Sequence, residues 1–347
     1  MTDNFHILIR CDGSSRVGMG HIVRCLALAD ELRERYYCEV AFAVQEDEIG
    51  INLINKHNYR VFTPIENNLK FDYYSWIIEV IEEFQPHVFI LDVRDELPIK
   101  AILEMKERKI KIVTIDDPSD RRRFTDLAFY PPIYQVGKLD WTGYDGKLFV
   151  GWDWILLRPE FSIQKTIKKT DKMNPIILVA MGGSDPQGMT LNVIRAIEKC
   201  EREIFVKIIL GPAFSHYDVL LDLLKDTRQN YEILINVENM ADIMRGVDVA
   251  VVSFGVTAYE LAALDIPSVY LCISPDHSES AQSLADQGYG VNLGEYPKIT
   301  KIEICKAINT VLKYFDSGRN RKEEPKKSID GRGYKRISQK IIEEISK

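Results

Sequence analysis

His21 follows the turn Gly18-Met19-Gly20 and opens a stretch in which Ile22, Val23, Leu26, Leu28, Ala29 and Leu32 recur at roughly helical spacing. A histidine in that place has the chemistry of a general base. A helix N-terminus carries partial positive charge, which disfavours imidazolium, so the ring is expected to be neutral at pH 7 and able to take a proton. The unpaired N–H groups beside it suit phosphate or another anion. Glycines at 18 and 20 allow the tight turn and a close approach of ligand to backbone. A blander reading competes with this one. Strand, glycine turn and helix open many α/β domains, Gly-x-Gly alone is weak evidence, and a histidine at a helix start often only caps or fills.

Other polar residues collect at the same kind of place. Val88-Phe89-Ile90-Leu91 runs into Asp92, and Ile112-Val113-Thr114-Ile115 runs into Asp116 and Asp117. Acids after a strand either serve a cleft at the carboxyl edge of a sheet or cap the next helix. The second half repeats the device. Pro175-Ile176-Ile177-Leu178-Val179-Ala180 leads to Gly182-Gly183-Ser184, whose N–H and hydroxyl groups could hold a diphosphate, or which form a plain turn. Asp248-Val249-Ala250-Val251-Val252-Ser253 leads to Gly255, Thr257 and Glu260, and a carboxylate such as Glu260 can accept from two adjacent hydroxyls.

Strands and helices alternate around these turns. Strands are expected at Ile7–Ile9, Val40–Val44, Tyr59–Phe62, Val88–Asp92, Ile112–Asp117, Phe205–Leu210, Tyr231–Leu234 and Ile266–Cys272, and helices at Ser75–Phe84, Ile99–Arg108, Asn192–Lys199 and Ala281–Gln287. Phe129-Tyr130-Pro131-Pro132 reads as a break. Two glycine turns opening two such halves predict an α/β protein of two Rossmann-like domains facing a cleft, the GT-B-like arrangement. The expected divisions are residues 1–163 for an N-terminal Rossmann-like domain carrying His21, a polar linker at 164–174, a nucleotide-binding domain at 175–325, and a C-terminal helix at 326–347 free to pack back on the first domain. The run Arg319 to Lys327 reads as a solvated stretch of charge.

The string IRCDGSSRVGMGHIVRCLALADEL resembles the signature of PseG-type nucleotide-sugar hydrolases, also labelled SpsG-like: Asp12, Ser14, Gly18, Gly20, His21, Arg24, Leu26, Leu28, Ala29 and Leu32 all fit it. Further stretches fit at Leu156–Phe161, Gly182–Pro186, Thr257–Glu260 and Asp330-Gly331, so the likeness covers nearly the whole chain. The resemblance implies hydrolysis of a UDP-activated diacetamido-trideoxy hexose with release of UDP, on a route to pseudaminic acid or a surface polysaccharide. It implies that His21 is the base for an attacking water, with Asp12 beside it as catalytic. It places Gly18, Gly20, Arg24, Asp92, Arg94 and His277 around the sugar, and Gly182, Gly183, Ser184, Gly255, Thr257 and Glu260 around the nucleotide. Two positions depart from the pattern: Arg94 stands where a tyrosine is usual, and Asp276-His277-Ser278 where an Asn-Gln pair is usual. A guanidinium at 94 favours a more anionic ligand.

Composition narrows the alternatives. A chain of 347 residues is long enough for two α/β cores, and a net charge of −7 offers no basic field for nucleic acid. The six cysteines are scattered without a CxxC pair or metal-ligand spacing, so no metal site and no cofactor is expected, and the thiols read as reduced core residues. No transmembrane length and no signal peptide is read, which gives the expectation of a cytoplasmic protein whose partner is a UDP-sugar. Two rivals remain from the sequence: a glycosyltransferase in which His21 activates an acceptor hydroxyl, and a non-catalytic nucleotide-sugar-binding protein.

Overall fold

The computed structural model describes residues 4–13, 18–45, 48–64, 71–162, 174–211, 213–235, 237, 239–316 and 328–347. Ser14, the polar run 164–173 and the charge run 319–327 lie outside the described residues. The chain divides into two compact units: residues 1–132, 136–159 and 332–347 form the first, and residues 133–135 and 160–331 the second. The division therefore falls at Pro159/Glu160, and the last helix is counted with the first unit.

The first unit is a seven-stranded sheet in the order β3-β2-β1-β4-β5-β6-β7, all neighbours parallel. Its elements are β1 (His6–Cys11), α1 (Gly20–Tyr36), β2 (Glu39–Ala43), α2 (Glu48–Lys56), β3 (Arg60–Phe62), α3 (Tyr73–Phe84), β4 (Val88–Asp92), α4 (Ile99–Glu107), β5 (Lys111–Ile115), β6 (Leu127–Tyr130) and β7 (Lys147–Val150). Both faces of the sheet are covered, which is why Ile7–Ile9 in β1 and Val88–Leu91 in β4 read as apolar runs without alternation. Ile7 and Ile9 face one core with α1, while Leu8 and Phe89 face the other with α3 and α4.

The second unit is a six-stranded parallel sheet in the order β10-β9-β8-β11-β12-β13. It comprises β8 (Ile176–Ala180), α5 (Met189–Ile197), β9 (Phe205–Leu210), α6 (Tyr217–Lys225), β10 (Asn230–Ile235), α7 (Met240–Arg245), β11 (Val249–Ser253), α8 (Val256–Ala263), β12 (Ser268–Cys272), α9 (Pro275–Asp286), β13 (Gly290–Glu295) and α10 (Lys301–Asp316). The chain ends in α11 (Gly333–Ile345). Among the described residues no helix is long and apolar enough to cross a membrane.

Several boundaries differ from the sequence expectation for local reasons. Phe129-Tyr130 is the buried end of β6, stopped by Pro131, rather than part of a break. The strand expected through Asp117 stops at Ile115, because Asp116 takes the left-handed conformation at φ 54°. The helix expected from Ala281 starts at Pro275, because Ser274 Oγ accepts from the His277 N–H at 3.2 Å and proline fits the first turn. The short edge strand β7, largely exposed, shows no alternation that would announce it.

Helix α11 completes the first core, where Tyr334, Ile337 and Ile341 join residues of α1 and the sheet. Gly333 is packed so closely that a Cβ there would meet the Ile155 carbonyl oxygen at 2.0 Å. Ile337→Ala is accordingly expected to cost about 2–4 kcal/mol, read as a lower urea midpoint, because a fully buried side chain leaves a cavity. An unchanged midpoint would show that α11 is dispensable to the core.

Candidate active site

In each sheet the strand order reverses once: between β1 and β4 in the first unit, and between β8 and β11 in the second. Open α/β sheets bind ligands outside the carboxyl ends of the strands at such a switch point. The residues singled out from the sequence gather at these two places.

In the first unit Cys11 and Asp92 are register partners at the ends of β1 and β4. Asp92 is 0% exposed, beneath the first turns of α1. His21 Nδ1 lies 2.7 Å from Asp92 Oδ1. Arg24 holds the same carboxylate with Nε at 2.6 Å from Oδ2 and with Nη2 on Oδ1, and the Cys25 thiol donates to Oδ2 at 3.2 Å. The helical spacing of residues 21, 24 and 25 puts all three on one face of α1. Burial alone would raise the Asp92 carboxyl, but Arg24 and then His21 outweigh it and hold it well below the ordinary carboxylate range. An ionised carboxylate only accepts, so Nδ1 carries the ring hydrogen and the lone pair is on Nε2. Arg24 Nη2, itself only a donor, approaches Nδ1 at 3.2 Å as a contact and not a bond. The Cys25 thiol is pushed well up by burial and by neighbouring Cys11, so it donates and does not react.

Gly18 has φ 84° with nothing near the place of a Cβ, so conformation and not space demands glycine there. The N-cap residue Met19 supplies no side-chain acceptor, and the first turn has no acid. The N–H groups of Gly20 and His21 are thus at an end of α1 suited to negative charge.

The structure corrects three assignments. Asp92 cannot touch a sugar from its buried position; it orients His21. Asp12 is not joined to the base: both its oxygens take the fork of Arg10, each at 2.6 Å, and Oδ1 also accepts from the Gln45 N–H at 2.8 Å. Arg24 likewise spends its Nε and Nη2 on Asp92. Arg94 does remain at the surface, 48% exposed, with Nη2 donating to Asp116 at 2.7 Å.

A second network escaped the sequence reading. Arg10, wholly buried, also reaches Asp95 at 2.8 Å and the Tyr73 hydroxyl at 2.6 Å. Asp95 in turn accepts from Arg121 at 2.8 Å, and Arg121 Nε donates to Asp117 at 3.2 Å. The available signal was a charged residue inside the apolar strand Ile7-Leu8-Ile9-Arg10-Cys11, which must be paired.

In the second unit three turns follow the adjacent strands β8, β11 and β12. A side chain at Gly182 (φ 80°) would start 3.7 Å from Ser253 Oγ, so the first two turns touch. The Phe254 ring lies 6.0 Å from that of His277, which ties in the third. The two helices behind these turns differ. Buried Asp185 caps α5, accepting from the Met189 and Thr190 N–H groups at 2.8 Å each. Burial raises its carboxyl despite those bonds. Gly182, Gly183 and Ser184 therefore offer only their own loop groups, not a free helix end. Helix α8 begins after Gly255 with no side-chain cap and no acid in its first turn, and a Cβ at Gly255 would meet only open space. Thr257 lies in that first turn; Glu260, one turn on, is 4% exposed and engaged within the fold.

No family model matches the chain. An uncharacterized protein of Methanocaldococcus jannaschii is 30% identical over 76% of the chain, which spans about half of that relative, 55%. The spore coat polysaccharide biosynthesis protein SpsG of Bacillus subtilis is 23% identical over 96% of both chains. The UDP-2,4-diacetamido-2,4,6-trideoxy-beta-L-altropyranose hydrolase of Campylobacter jejuni is 26% identical over 82% of this chain and 98% of its own. The crystal structure of Acinetobacter baumannii MurG superposes with a TM-score of 0.70 at 13% identity, covering 99% of each chain, and gives the fold as GT-B. The chain is thus similar to SpsG and to the Campylobacter hydrolase in sequence and to MurG in fold. Within that GT-B fold, the His21–Asp92–Arg24 cluster occupies the switch point of the first unit.

Asp92→Asn tests the cluster. Removing one partner of a buried ion pair costs about 3–5 kcal/mol at pH 7. The Asp92 carboxyl is depressed in the folded state, so its contribution is complete above the unfolded value of about 3.9 and is lost as pH falls below it towards the folded value. The stability gap between wild type and variant, measured in urea, should therefore be large at pH 7 and narrower at pH 3. An equal gap at both would mean that Asp92 is not the ionised partner of Arg24.

Proposed function

We propose that the chain hydrolyses a UDP-activated acetamido sugar and releases UDP, on a surface-polysaccharide or pseudaminic-acid-type route in the cytoplasm. The observation that carries this reading is the His21–Asp92 pair at the first unit's switch point. Asp92 holds the imidazole with Nδ1–H inward, which leaves Nε2 as a fixed proton acceptor at the open end of α1. Nε2 takes a proton from water as the water oxygen bonds to the anomeric carbon, and the bond from that carbon to the UDP oxygen breaks. UDP is a stable leaving anion, so a base and N–H groups directed at the diphosphate suffice. The uncapped start of α8 supports a diphosphate site there, with Thr257 in its first turn and Glu260 for the ribose hydroxyls. The named activity of the Campylobacter relative supports hydrolysis and makes its diacetamido-trideoxy hexose the reference substrate for a test. A transferase reading keeps the same base, with an acceptor hydroxyl in place of water; the MurG likeness of the fold favours keeping it as the second reading.

His21→Asn is expected to lower kcat about 10²–10⁴-fold, the usual contribution of a positioned base, with UDP affinity little changed. Wild-type turnover in the Asn variant on a confirmed UDP-sugar would make His21 structural. Free UDP scored with and without acceptor sugars separates hydrolysis from transfer.

Glu260→Gln is expected to weaken UDP by about 1–3 kcal/mol, the range for hydrogen bonds to a charged group. Calorimetric titration of UDP, with the melting temperature as a check on folding, reads this directly. Unchanged affinity in a folded variant would put the ribose elsewhere.

A further inference from the structure

We propose that the sugar taken by this site carries an anionic group of the carboxylate kind, and that Arg94 is the residue that selects it. The inference rests on the nucleotide-sugar reading above and departs from the trideoxy hexose of the Campylobacter relative, whose C6 is a methyl group. Three of the four arginines placed in this part of the first unit have their charge answered inside the protein. Arg10 is buried on Asp12 and Asp95, Arg24 on Asp92, and Arg121 on Asp117 and Asp95. Arg94 also has a carboxylate partner, Asp116, but differs in exposure and in how few of its donors are used. It follows β4 two residues after Asp92, so it leaves the same strand end that holds His21. Its side chain is 48% exposed, and a single nitrogen, Nη2, is used by Asp116. Its Nε and Nη1 have no partner among the described residues.

Asp116 makes that arrangement definite. It sits just past β5, the strand beside β4, in a left-handed conformation that a non-glycine residue rarely takes. Leu91 and Thr114 are register partners, so the chain leaves β4 towards Arg94 and β5 towards Asp116 from neighbouring strand ends. A guanidinium held by one nitrogen has lost much of its freedom before a ligand arrives and keeps donors in the fork geometry that matches a two-oxygen anion. A neutral hydroxyl would use one donor and none of the charge. The diphosphate is the other source of anionic oxygens, and the binding of UDP alone distinguishes it.

UDP-N-acetylglucosamine and UDP-N-acetylglucosaminuronic acid are the probes, since they differ only in a hydroxymethyl against a carboxylate. With the full-length protein, kcat/KM for UDP release should favour the acid, and Arg94→Gln should reduce the acid-to-neutral ratio about 10–100-fold, as loss of a charge-assisted hydrogen bond does. Arg94→Lys should keep part of the ratio, and it serves as the test if the Gln variant fails to melt cooperatively. UDP alone should bind wild type and variant alike. Release without preference for the acid, a ratio untouched in Arg94→Gln, UDP affinity falling with the ratio, or binding of neither sugar would each overturn the inference. Release from both sugars without preference would overturn it and leave the hydrolase reading intact. Binding of the acid in preference, dependent on Arg94 but without release, would support it and overturn the hydrolase reading.

Discussion

The Asp92 carboxylate is the contact on which the first unit's chemistry depends. It lies at the end of β4 with no exposure, and it is tolerable there only because Arg24, His21 and Cys25 all donate to it. That one requirement settles several others. Helix α1 must present residues 21, 24 and 25 on one face, so it must begin at Gly20, directly after the glycine turn. The imidazole must keep its hydrogen on the inner nitrogen, so the outer one is basic. The arginine next to the base is bound to the carboxylate and is unavailable to substrate. Of the polar side chains the sequence gathers here, His21 and Arg94 stay accessible, and the ring of His21 is backed by a buried ion pair.

A second buried network supports the same strand ends from the other face of the sheet. Arg10 alternates with Ile9 along β1 and so points into the α3 side, where Tyr73 and Trp76 lie against its guanidinium at 5.4 and 5.5 Å. Its partners Asp12 and Asp95 follow β1 and β4, and Arg121 ties Asp95 to Asp117 after β5. Buried ion pairs are weak contributors to stability in themselves. This one fixes the exits of three neighbouring strands by bonds that a shifted loop would break. Asp12, placed near the base by its position in the sequence, belongs to this frame.

The strand-turn-helix units at Ile7–Leu32 and Pro175–Lys199 were legible because buried parallel strands are apolar without interruption and the glycine turns punctuate them. Both sheets and the gathering of polar residues at strand ends follow from that pattern. What a carboxylate does after a strand was not legible. Asp92, Asp116 and Asp185 look alike in sequence, yet the first orients a base, the second holds an exposed arginine and the third caps a helix. The difference lies in partners dozens of residues away, or, for Asp185, in a left-handed backbone at φ 40° that turns its carboxylate to the next helix. Elements such as α10 were legible in principle: Ile304, Ile308, Val311 and Leu312 keep helical spacing. Edge strand β7 was not, since half-solvated strands need no pattern.

The two units meet the same problem with opposite use of helix ends. A helix that starts beside a switch point has N–H groups that must be satisfied by the protein or by a ligand. Helix α5 takes the first course, and Asp185 supplies its anion internally. Helices α1 and α8 leave the second open: neither has a capping side chain or an acid in the first turn, α1 starts with a glycine after Met19, and α8 follows Gly255. The His277 turn is intermediate, since Ser274 caps α9 while the ring beside it packs on Phe254. Uncapped helix starts therefore sit after β1 and β11 and not after β8, although the glycine-rich turn after β8 is the more conspicuous of the two in the second half of the sequence. Glycines mark where a backbone can turn; whether an anion can bind there is decided by whether a carboxylate of the chain has already taken the N–H groups.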